Sequence, residues 1–379
     1  MRDDGLGMVV IADDITGAAE IAGIAYGQGQ TVRLVCDAAS LSAAWMEDGA
    51  NGTTTVIATD TRSLNAKEAA AETRRIAASF PTPHPSFHFF KKTDSALRGH
   101  VVEELVALMQ ALDYQRAVYL PANPSRGRII RHGIYYIKEK KEGQEAKEVP
   151  LHETDFSFDP DFPARTSTLH DRFPDAEAHG ILMPDATCQA DIHRLLAYYD
   201  DGHTLFAGAA DLFTQIIGKS EGNDRTSLPL SSYISPHSST LILCGSTQSK
   251  PLHLGIPVIP MPISIYDRAD DLSLWDTSAY ATMSSAILTM PYTHRHTREA
   301  ASHLRTMMAA KACDLIASQC PSHLIIEGGA TAWTTLQALG WTAFTIVAQH
   351  APGVVTMRAQ NGTLVTLKPG SYPWQPETN

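Results

Sequence analysis

The chain has 379 residues, enough for two domains of ordinary size, each with its own hydrophobic core. Hydrophobic residues make up 44% of the sequence and charged residues 19%, which is typical of a globular protein and excludes a disordered one. The formal net charge of -11 argues against nucleic acid as the main partner, because affinity for a polyanion comes largely from basic residues. A small anionic ligand needs only a local basic cluster and stays open.

The five cysteines include no CxxC pair, so neither a zinc site nor a disulfide scaffold is expected. The N-terminal residues lack the pattern of a signal peptide, and no apolar run reaches transmembrane length. We therefore expect a cytoplasmic protein without a membrane partner. His294 and His296 form an HxH pair without a carboxylate at metal-ligand spacing, and we interpret them as surface residues.

Short apolar runs alternate with helical patterns through the first half of the chain. The predicted strands are residues 8–12, 31–36, 54–59, 87–91, 117–120 and 180–184, and the predicted helices are 18–26, 66–79, 99–112 and 190–199. Such alternation predicts a parallel sheet with helices on both faces. Residues 133–167, rich in Lys, Glu, Asp and Pro, interrupt it and predict a hairpin or a lid-like insertion.

The polar, Ser/Pro-rich residues 219–238 predict a linker between an N-terminal domain over 1–225 and a C-terminal domain over 239–379. Beyond the linker, the predicted strands are 240–244, 323–327, 344–347 and 363–367, and the predicted helices are 300–318 and 333–339. We therefore predict an α/β protein of two α/β domains, each with a mainly parallel sheet flanked by helices.

Four polar loops each follow a predicted strand of the first half: residues 13–17, 61–63, 91–99 and 123–128. Ligands of open α/β sheets bind beyond the carboxyl ends of the strands, so we expect these loops to converge on one sheet edge. The adjacent carboxylates of Asp13 and Asp14 could bind a hydroxyl, accept its proton or hold Mg²⁺. The alternative is that one of them is only a helix N-cap.

The loop 91–99, with the sequence KKTDSALRG, carries the most specific signal of the four. Its cations suit the carboxylate of an acid substrate or a phosphate, and arginine can bind either group with two parallel hydrogen bonds. A solvated surface loop is the alternative interpretation.

The predicted strand 323–327 leads into a Gly-rich turn, residues 328–331, and then a helix, an arrangement that exposes backbone N–H groups to a phosphate. The turn is not a Walker A loop, because the GK[ST] ending is absent, and a plain tight turn is the alternative. Residues 245–249 follow another predicted strand and could line the same pocket, which residues 368–370 could close.

These motifs, in this order, resemble the four-carbon acid sugar kinases. The resemblance rests on ADDITGA (12–18), KKTDSALRG (91–99), NPSRGR (123–128), PLHETDFSFDPDFP (150–163), CGSTQS (244–249), EGGAT (327–331), APGV (351–354) and KPG (368–370). It spans nearly the whole chain. It implies ATP-dependent phosphorylation of threonate, erythronate or a 3-oxo-tetronate, with the acid on the N-terminal domain and the nucleotide on the C-terminal domain.

The same resemblance implies which residues bind each ligand. The acid would contact Asp13 or Asp14, Arg62, Lys92, Thr93, Asp94 and Ser95. ATP would contact Ser246, Gly328, Gly329, Ala330, Thr331 and Gly370.

The chemistry of phosphoryl transfer suggests roles for these residues. We expect Arg62, Lys92 and Arg98 to bind the anionic groups of the acid. We expect Asp94 or Asp14 to orient or deprotonate the accepting hydroxyl, and Mg²⁺, with no ligand assigned in the chain, to bridge the ATP phosphates. A non-catalytic small-acid sensor, or a kinase for another aldonate or glycerate, are the alternatives. A homodimer is left open.

Overall fold

The computed structural model describes residues 6–41, 53–80, 87–139, 146–159, 161–218, 239–245, 255–266, 271–283, 285–290 and 298–370. The chain divides into two compact units, Met1–Asp224 and Arg225–Asn379. Both are α/β units built on a mainly parallel sheet, as the sequence predicts. The predicted linker, residues 219–238, lies outside the described residues.

The described part of the first unit contains ten strands. They are β1 (Gly7–Ala12), β2 (Val32–Val35), β3 (Thr54–Ala58), β4 (Phe87–Lys92), β5 (Arg116–Leu120), β6 (Arg128–Arg131), β7 (Ile134–Glu139), β8 (Lys147–Pro150), β9 (Ile181–Leu182) and β10 (Thr204–Gly208). Seven of them form a parallel sheet in the order β2-β3-β1-β4-β10-β5-β9. β3 and β10 are buried along their whole length, as expected for parallel strands covered on both faces.

The helices of the first unit connect these strands and begin where the sequence supplies a cap. Asn65 and Glu68 form a capping box at the start of the helix Ala66–Ala77. The described helices are Ile15–Gly27, Ala66–Ala77, Val101–Leu112, Leu169–Arg172, Gln189–Tyr199 and Ala210–Ile217.

The predicted insertion is a separate antiparallel sheet in the order β6-β7-β8. The hairpin prediction is confirmed by β7 and β8, but the sheet begins earlier than residue 133, at Arg128. Two short 3₁₀ helices, Leu151–Glu153 and Asp155–Phe158, follow the sheet.

Several elements of the first unit are absent from the sequence-based prediction, among them β6 and the helix Leu169–Arg172. β10 and the helix Ala210–Ile217 were not predicted, and β10 lies between β4 and β5 in the sheet. The prediction of a strand over 180–184 was too long, because only Ile181–Leu182 pair with β5. This strand is at the sheet edge, where pairing with one neighbour alone supports a short strand.

The described strands of the second unit are β11 (Thr240–Cys244), β12 (Val258–Pro260), β13 (Ser285–Thr289), β14 (His323–Glu327), β15 (Ala343–Ala351), β16 (Val354–Ala359) and β17 (Leu364–Lys368). Their order is β12-β13-β11-β14-β17-β16-β15. Neighbours from β12 to β17 are parallel, whereas β16 is antiparallel to both β17 and β15. β12, β13 and β16 were not predicted from the sequence.

The described helices of the second unit are Ile263–Tyr266, Ser278–Met283, Arg298–Gln319 and Gly329–Ala338. The last begins at Gly329, four residues before the predicted start, because Gly328 with a φ of 98° serves as its N-cap. None of the helices in the described ranges is long and apolar enough to cross a membrane.

Candidate functional site

The loops after β1, β3 and β4 meet at one edge of the first sheet, and Arg62 connects them. Its Nε and Nη2 donate to the two oxygens of Asp13 at 3.0 and 2.9 Å. Nη2 also donates to Oδ1 of Asp14 at 3.0 Å, and Nη1 lies 3.6 Å from Oδ1 of Asp94. One guanidinium therefore pairs with three carboxylates from two other loops.

The local backbone fixes where two of these carboxylates lie. Asp14 is the N-cap of the helix Ile15–Gly27, and its Oδ1 accepts a hydrogen bond from the N–H of Gly17 at 3.0 Å. Gly99 has a φ of +98°, and a Cβ there would lie 3.1 Å from Oδ2 of Asp13. A glycine at this position therefore leaves room for the Asp13 carboxylate. The N-cap interpretation of Asp14 is correct, and Asp14 also contacts Arg62.

Arg98 holds Asp94 within the same loop. Nε and Nη2 of Arg98 donate to Oδ2 and Oδ1 of Asp94 at 2.9 and 2.8 Å, which is a bidentate pair. Between them, Leu97 adopts a left-handed φ of 61° although it is buried and has a Cβ. Such a conformation persists only where surrounding contacts enforce it, so the loop has a defined shape.

The three carboxylates differ in their affinity for a proton. Burial raises the pKa of Asp13 to about 6, although Arg62 opposes the shift. Burial acts in the same direction on Asp14, but Arg62 and the hydroxyl of Thr16 outweigh it and lower the pKa. For Asp94, Arg98 and Arg62 outweigh burial and hold the pKa far below its ordinary value.

The adjacent lysines of β4 point in different directions, as the pleat of a strand requires. Lys91 forms an ion pair with Glu104 in which both side chains are buried, and Thr61 donates to the same carboxylate at 2.9 Å. Lys92 donates to the carbonyl of Thr93 at 2.9 Å and lies 3.5 Å from Glu20. Neither glutamate was predicted from the sequence, because the motifs ADDITGA and KKTDSALRG end before Glu20 and Glu104.

Hydroxyl groups line the loop after β4. The buried hydroxyls of Thr93 and Tyr119 lie near each other, but neither makes a hydrogen bond of normal geometry to a described group. The hydroxyl of Ser95 accepts from Arg128, and its carbonyl accepts from Tyr135. Buried hydroxyls without partners are uncommon in folded proteins, so a ligand would satisfy them at this point.

The fourth predicted loop, after β5, reaches the same sheet edge. Its Ser125 N–H and hydroxyl donate to the carboxylate of Asp211 at 2.8 and 2.7 Å. Its Arg126 lies 3.0 Å from Glu20, the glutamate that also pairs with Lys92. The convergence that the sequence predicted for the four loops is therefore present.

In the second unit, three predicted nucleotide-binding segments follow the neighbouring strands β11, β14 and β17. The N–H of Gly245 donates to the carbonyl of Glu327 at 3.2 Å, and that of Gly328 donates to the carbonyl of Lys368 at 2.9 Å. A Cβ on Gly245 would lie 2.7 Å from Cβ of Thr331, so these segments touch. The N–H groups of the first turn after Gly328 have no acceptor within their own helix.

A buried ion pair lies beneath these segments. The ammonium of Lys368 pairs with the carboxylate of Glu327, and each side chain is 1% exposed. Lys368 also donates to the carbonyl of Pro369 at 3.2 Å. The pair therefore joins the residue before Gly328 to the residue before Pro369 and Gly370.

Parts of the predicted sites fall outside the described residues, namely Ser246 and the pair His294 and His296. Within the ranges that the structure covers, no group of three or more His, Cys, Asp or Glu side chains is arranged to hold a metal ion.

Comparisons with known proteins agree with this two-part arrangement. Residues 8–180 match the family described as "Sugar-binding N-terminal domain", and residues 273–372 match the family described as "Nucleotide-binding C-terminal domain". A 3-oxo-tetronate kinase of Brucella melitensis is 26% identical to the chain, over 96% of this chain and 92% of that protein. The chain belongs to the four-carbon acid sugar kinase family.

Two further proteins are similar to this chain, one over part of its length and one over nearly all of it. A D-threonate kinase of Salmonella typhimurium is 28% identical over 162 residues, which is 43% of this chain and 35% of that protein. The crystal structure of a Haemophilus influenzae protein from a family of unknown function aligns with a TM-score of 0.67 over 96% of both chains. At 20% identity this last likeness concerns the fold alone.

Proposed function

We propose that the protein is an ATP-dependent kinase that phosphorylates a hydroxyl of a four-carbon sugar acid of the threonate, erythronate or 3-oxo-tetronate type. The observation that carries the proposal is the cluster of Arg62 with Asp13, Asp14 and Asp94 at the carboxyl edge of the first sheet. The names of the relatives, a D-threonate kinase and a 3-oxo-tetronate kinase, support the reaction and the substrate class.

The acid would bind at this cluster through groups of both charges. Arg62, Lys92 and Arg98 supply positive charge, and the hydroxyls of Thr93 and Ser95 supply donors or acceptors for the hydroxyl groups of the acid. The unsatisfied hydroxyl of Thr93 supports this assignment. Because the cations already pair with carboxylates, the cluster is ordered before the substrate arrives.

One carboxylate would accept the proton of the attacking hydroxyl. The sequence favours Asp94 or Asp14, but the charges around them lower both pKa values and weaken them as bases. Asp13, whose pKa burial raises to about 6, is ionised at neutral pH and binds a proton more tightly than the other two. We therefore assign proton acceptance to Asp13, with Asp14 and Asp94 positioning Arg62 and Arg98.

The nucleotide would bind at the segments after β11, β14 and β17. The N–H groups of Gly329, Ala330 and Thr331 lie in the first turn of a helix and have no acceptor within that helix, and an anion is favoured at such a position. Gly245 allows the β11 segment to approach that turn closely, which supports a compact phosphate cradle. Ser246 and Gly370 are assigned to the nucleotide by resemblance.

ATP supplies the transferred phosphoryl group, and Mg²⁺ neutralises charge on its phosphates. At the acid cluster Asp13, Asp14 and Asp94 each pair with an arginine, so we assign no magnesium ligand to them. The chain's own contribution is to orient the acid, receive a proton and hold the phosphates still.

The test is an ATP-consumption assay with a panel of acids: D- and L-threonate, D- and L-erythronate, a 3-oxo-tetronate, glycerate and a five-carbon aldonate. We expect ADP formation with one of the four-carbon acids, dependent on Mg²⁺ and absent without acid. If only glycerate or only the aldonate is turned over, the proposed substrate class is wrong and the kinase acts on that acid instead. Tight binding of an acid and of ATP without turnover of any acid would favour the sensor alternative.

A further inference from the structure

The loop after β5 contains an arginine whose charge no carboxylate of the described chain neutralises. On the four converging loops, Arg62, Arg98 and Arg126 each pair with a carboxylate. Across the ranges that the structure describes, no carboxylate lies within ion-pair distance of Arg128, whose polar neighbours are the neutral hydroxyls of Ser95 and Tyr135. A guanidinium carries five N–H donors, so most of them remain available.

Arg128 is nevertheless not a solvated surface side chain. It is half-buried, it donates to the hydroxyl of Ser95, and its Cζ lies 5.6 Å from the ring centroid of Phe156. The ring of Phe156 also lies 5.7 Å from Cζ of Arg98. Both guanidinium groups are thus within the range of a cation–π interaction with one aromatic ring.

The segment that carries Phe156 is itself tied to the site. Oδ2 of Asp159 lies 3.3 Å from Nη1 of Arg98, and Oδ1 of Asp159 accepts from the N–H groups of Asp161 and Phe162 at 3.1 and 2.8 Å. The 3₁₀ helix Asp155–Phe158 is therefore held over the loop after β4. Arg98 gains a second carboxylate from this contact, whereas Arg128 gains only an aromatic face.

From these contacts we propose that Arg128 binds the carboxylate of the sugar acid and that Phe156 positions Arg128 for it. This inference rests on the proposed function. A planar guanidinium matches a carboxylate with two parallel hydrogen bonds, and Ser95, its present partner, is on the loop assigned to the acid. The carboxylate of the acid would supply the counter-charge that the described chain does not give to Arg128.

The test pairs a change in the protein with a change in the ligand. Calorimetry measures the binding of D-threonate, D-erythronate and their uncharged primary amides to the wild-type protein, Arg128→Ala and Arg128→Lys. We expect the wild type to prefer acid over amide by about 10–100-fold, the usual range for a hydrogen bond to a charged group. In Arg128→Ala this preference should fall about tenfold or more, and Arg128→Lys should lie between the two.

The matched control is Arg131→Ala, at the other end of β6, where the exposed Arg131 pairs with Glu148. Its acid-to-amide preference should equal that of the wild type. A folded Arg128→Ala that weakens acid and amide equally, or neither, overturns the proposal, because a merely structural arginine would not discriminate between the ligands.

Phe156 is tested with the same ratio. Phe156→Leu should lower the acid-to-amide preference by about 2–5-fold, and Phe156→Tyr should retain it. Phe158→Leu is the control, since Phe158 is on the same short helix but 84% exposed. An unchanged ratio in Phe156→Leu overturns the positioning role.

ATP turnover, measured on the same variants, separates this inference from the proposed function. Acid binding that depends on Arg128 without turnover supports the inference and contradicts the kinase. Turnover without any dependence of the acid preference on Arg128 contradicts the inference alone. Absence of binding of every four-carbon acid in the ATP-consumption panel to the wild type contradicts both.

Discussion

The guanidinium of Arg62 donates to both carboxylate oxygens of Asp13, at 3.0 and 2.9 Å, across the edge where β3 and β1 end. Such a pair would ordinarily lower the pKa of the carboxylate. Burial outweighs the pair, however, and raises the pKa of Asp13 to about 6. Asp13 is therefore ionised at neutral pH and yet able to take up a proton, which its neighbours with lowered pKa values do poorly.

This relationship predicts a pH dependence of activity. A proton acceptor must be ionised, so kcat should fall as the pH drops through about 6 and should level off above it. Asp13→Asn should lower kcat by about 10²–10⁴-fold and should remove the acidic limb of the profile. Steady-state kinetics at saturating ATP, on both sides of pH 6, measure both effects. An acidic limb that persists unchanged in Asp13→Asn would assign it to another group.

The turn after β14 predicts a selective loss of nucleotide binding. A branched side chain in Gly329→Val stands at the first helical N–H, and Gly245→Ala forces a Cβ to within 2.7 Å of Cβ of Thr331. Either change should weaken ATP binding about tenfold or more and leave acid binding intact. Calorimetry with each ligand separately is the measurement.

The control for the turn is Gln337→Val, which places the same branched side chain on an exposed position near the end of the same helix. Its ATP affinity should match the wild type. If Gly329→Val folds and binds ATP normally, the turn does not belong to the nucleotide site.

The buried pair of Lys368 and Glu327 predicts a large effect on stability. Lys368→Met removes the ammonium that neutralises the buried Glu327 carboxylate and should cost about 3–5 kcal/mol in the free energy of unfolding. The double variant Glu327→Leu/Lys368→Met should recover most of that loss, because no charge remains buried. Equilibrium urea unfolding measures all three proteins.

An exposed pair provides the comparison for this prediction. Nη1 of Arg131 lies 2.7 Å from Oε2 of Glu148, and the two side chains are 45% and 28% exposed, so Arg131→Ala should lower the free energy of unfolding far less than Lys368→Met. A similarly small cost for Lys368→Met would mean that Glu327 finds water or another partner when the lysine is absent.

The sequence was sufficient to predict that Asp13, Arg62 and Asp94 lie close together. The carboxyl ends of parallel strands share one edge of a sheet, whatever the order of the strands. The order of the strands within the sheet could not be predicted from the sequence. β10 lies between β4 and β5 in the sheet, although it follows both of them at a distance along the chain. Pairing between strands distant in sequence depends on the packing of the whole sheet, and a five-residue apolar run does not encode it.

The ion-pair partners of individual charged residues could not be predicted from the sequence either. Lys91 and Lys92 are neighbours in one motif, yet Lys91 pairs with the buried Glu104, whereas Lys92 lies 3.5 Å from Glu20. The alternation of a strand predicts that the two diverge, but it does not say which faces the site. The contacts of Phe156 with Arg98 and Arg128 could not be predicted for the same reason, since they depend on the position of a short helix after β8.

The last prediction separates binding from proton transfer within the loop after β4. Lys92→Ala should mainly raise the KM for the acid, because a contact with an anionic group exists in the ground state and the transition state alike. Asp94→Asn should also act mainly on KM, since Asp94 holds Arg98 and Arg62 and its pKa is too low for an efficient base.

Kinetics of Asp94→Asn, Asp14→Asn and Asp13→Asn side by side decide which carboxylate accepts the proton. Each asparagine keeps the shape of the side chain and removes its charge and basicity, so a fall of about 10²–10⁴-fold in kcat marks the base. We expect that fall for Asp13 alone. If it follows Asp94→Asn instead, the lowered pKa of Asp94 must rise when the acid draws Arg98 away from it. If it follows none of the three, the hydroxyl loses its proton late, to phosphate or water, and the carboxylates only position the arginines.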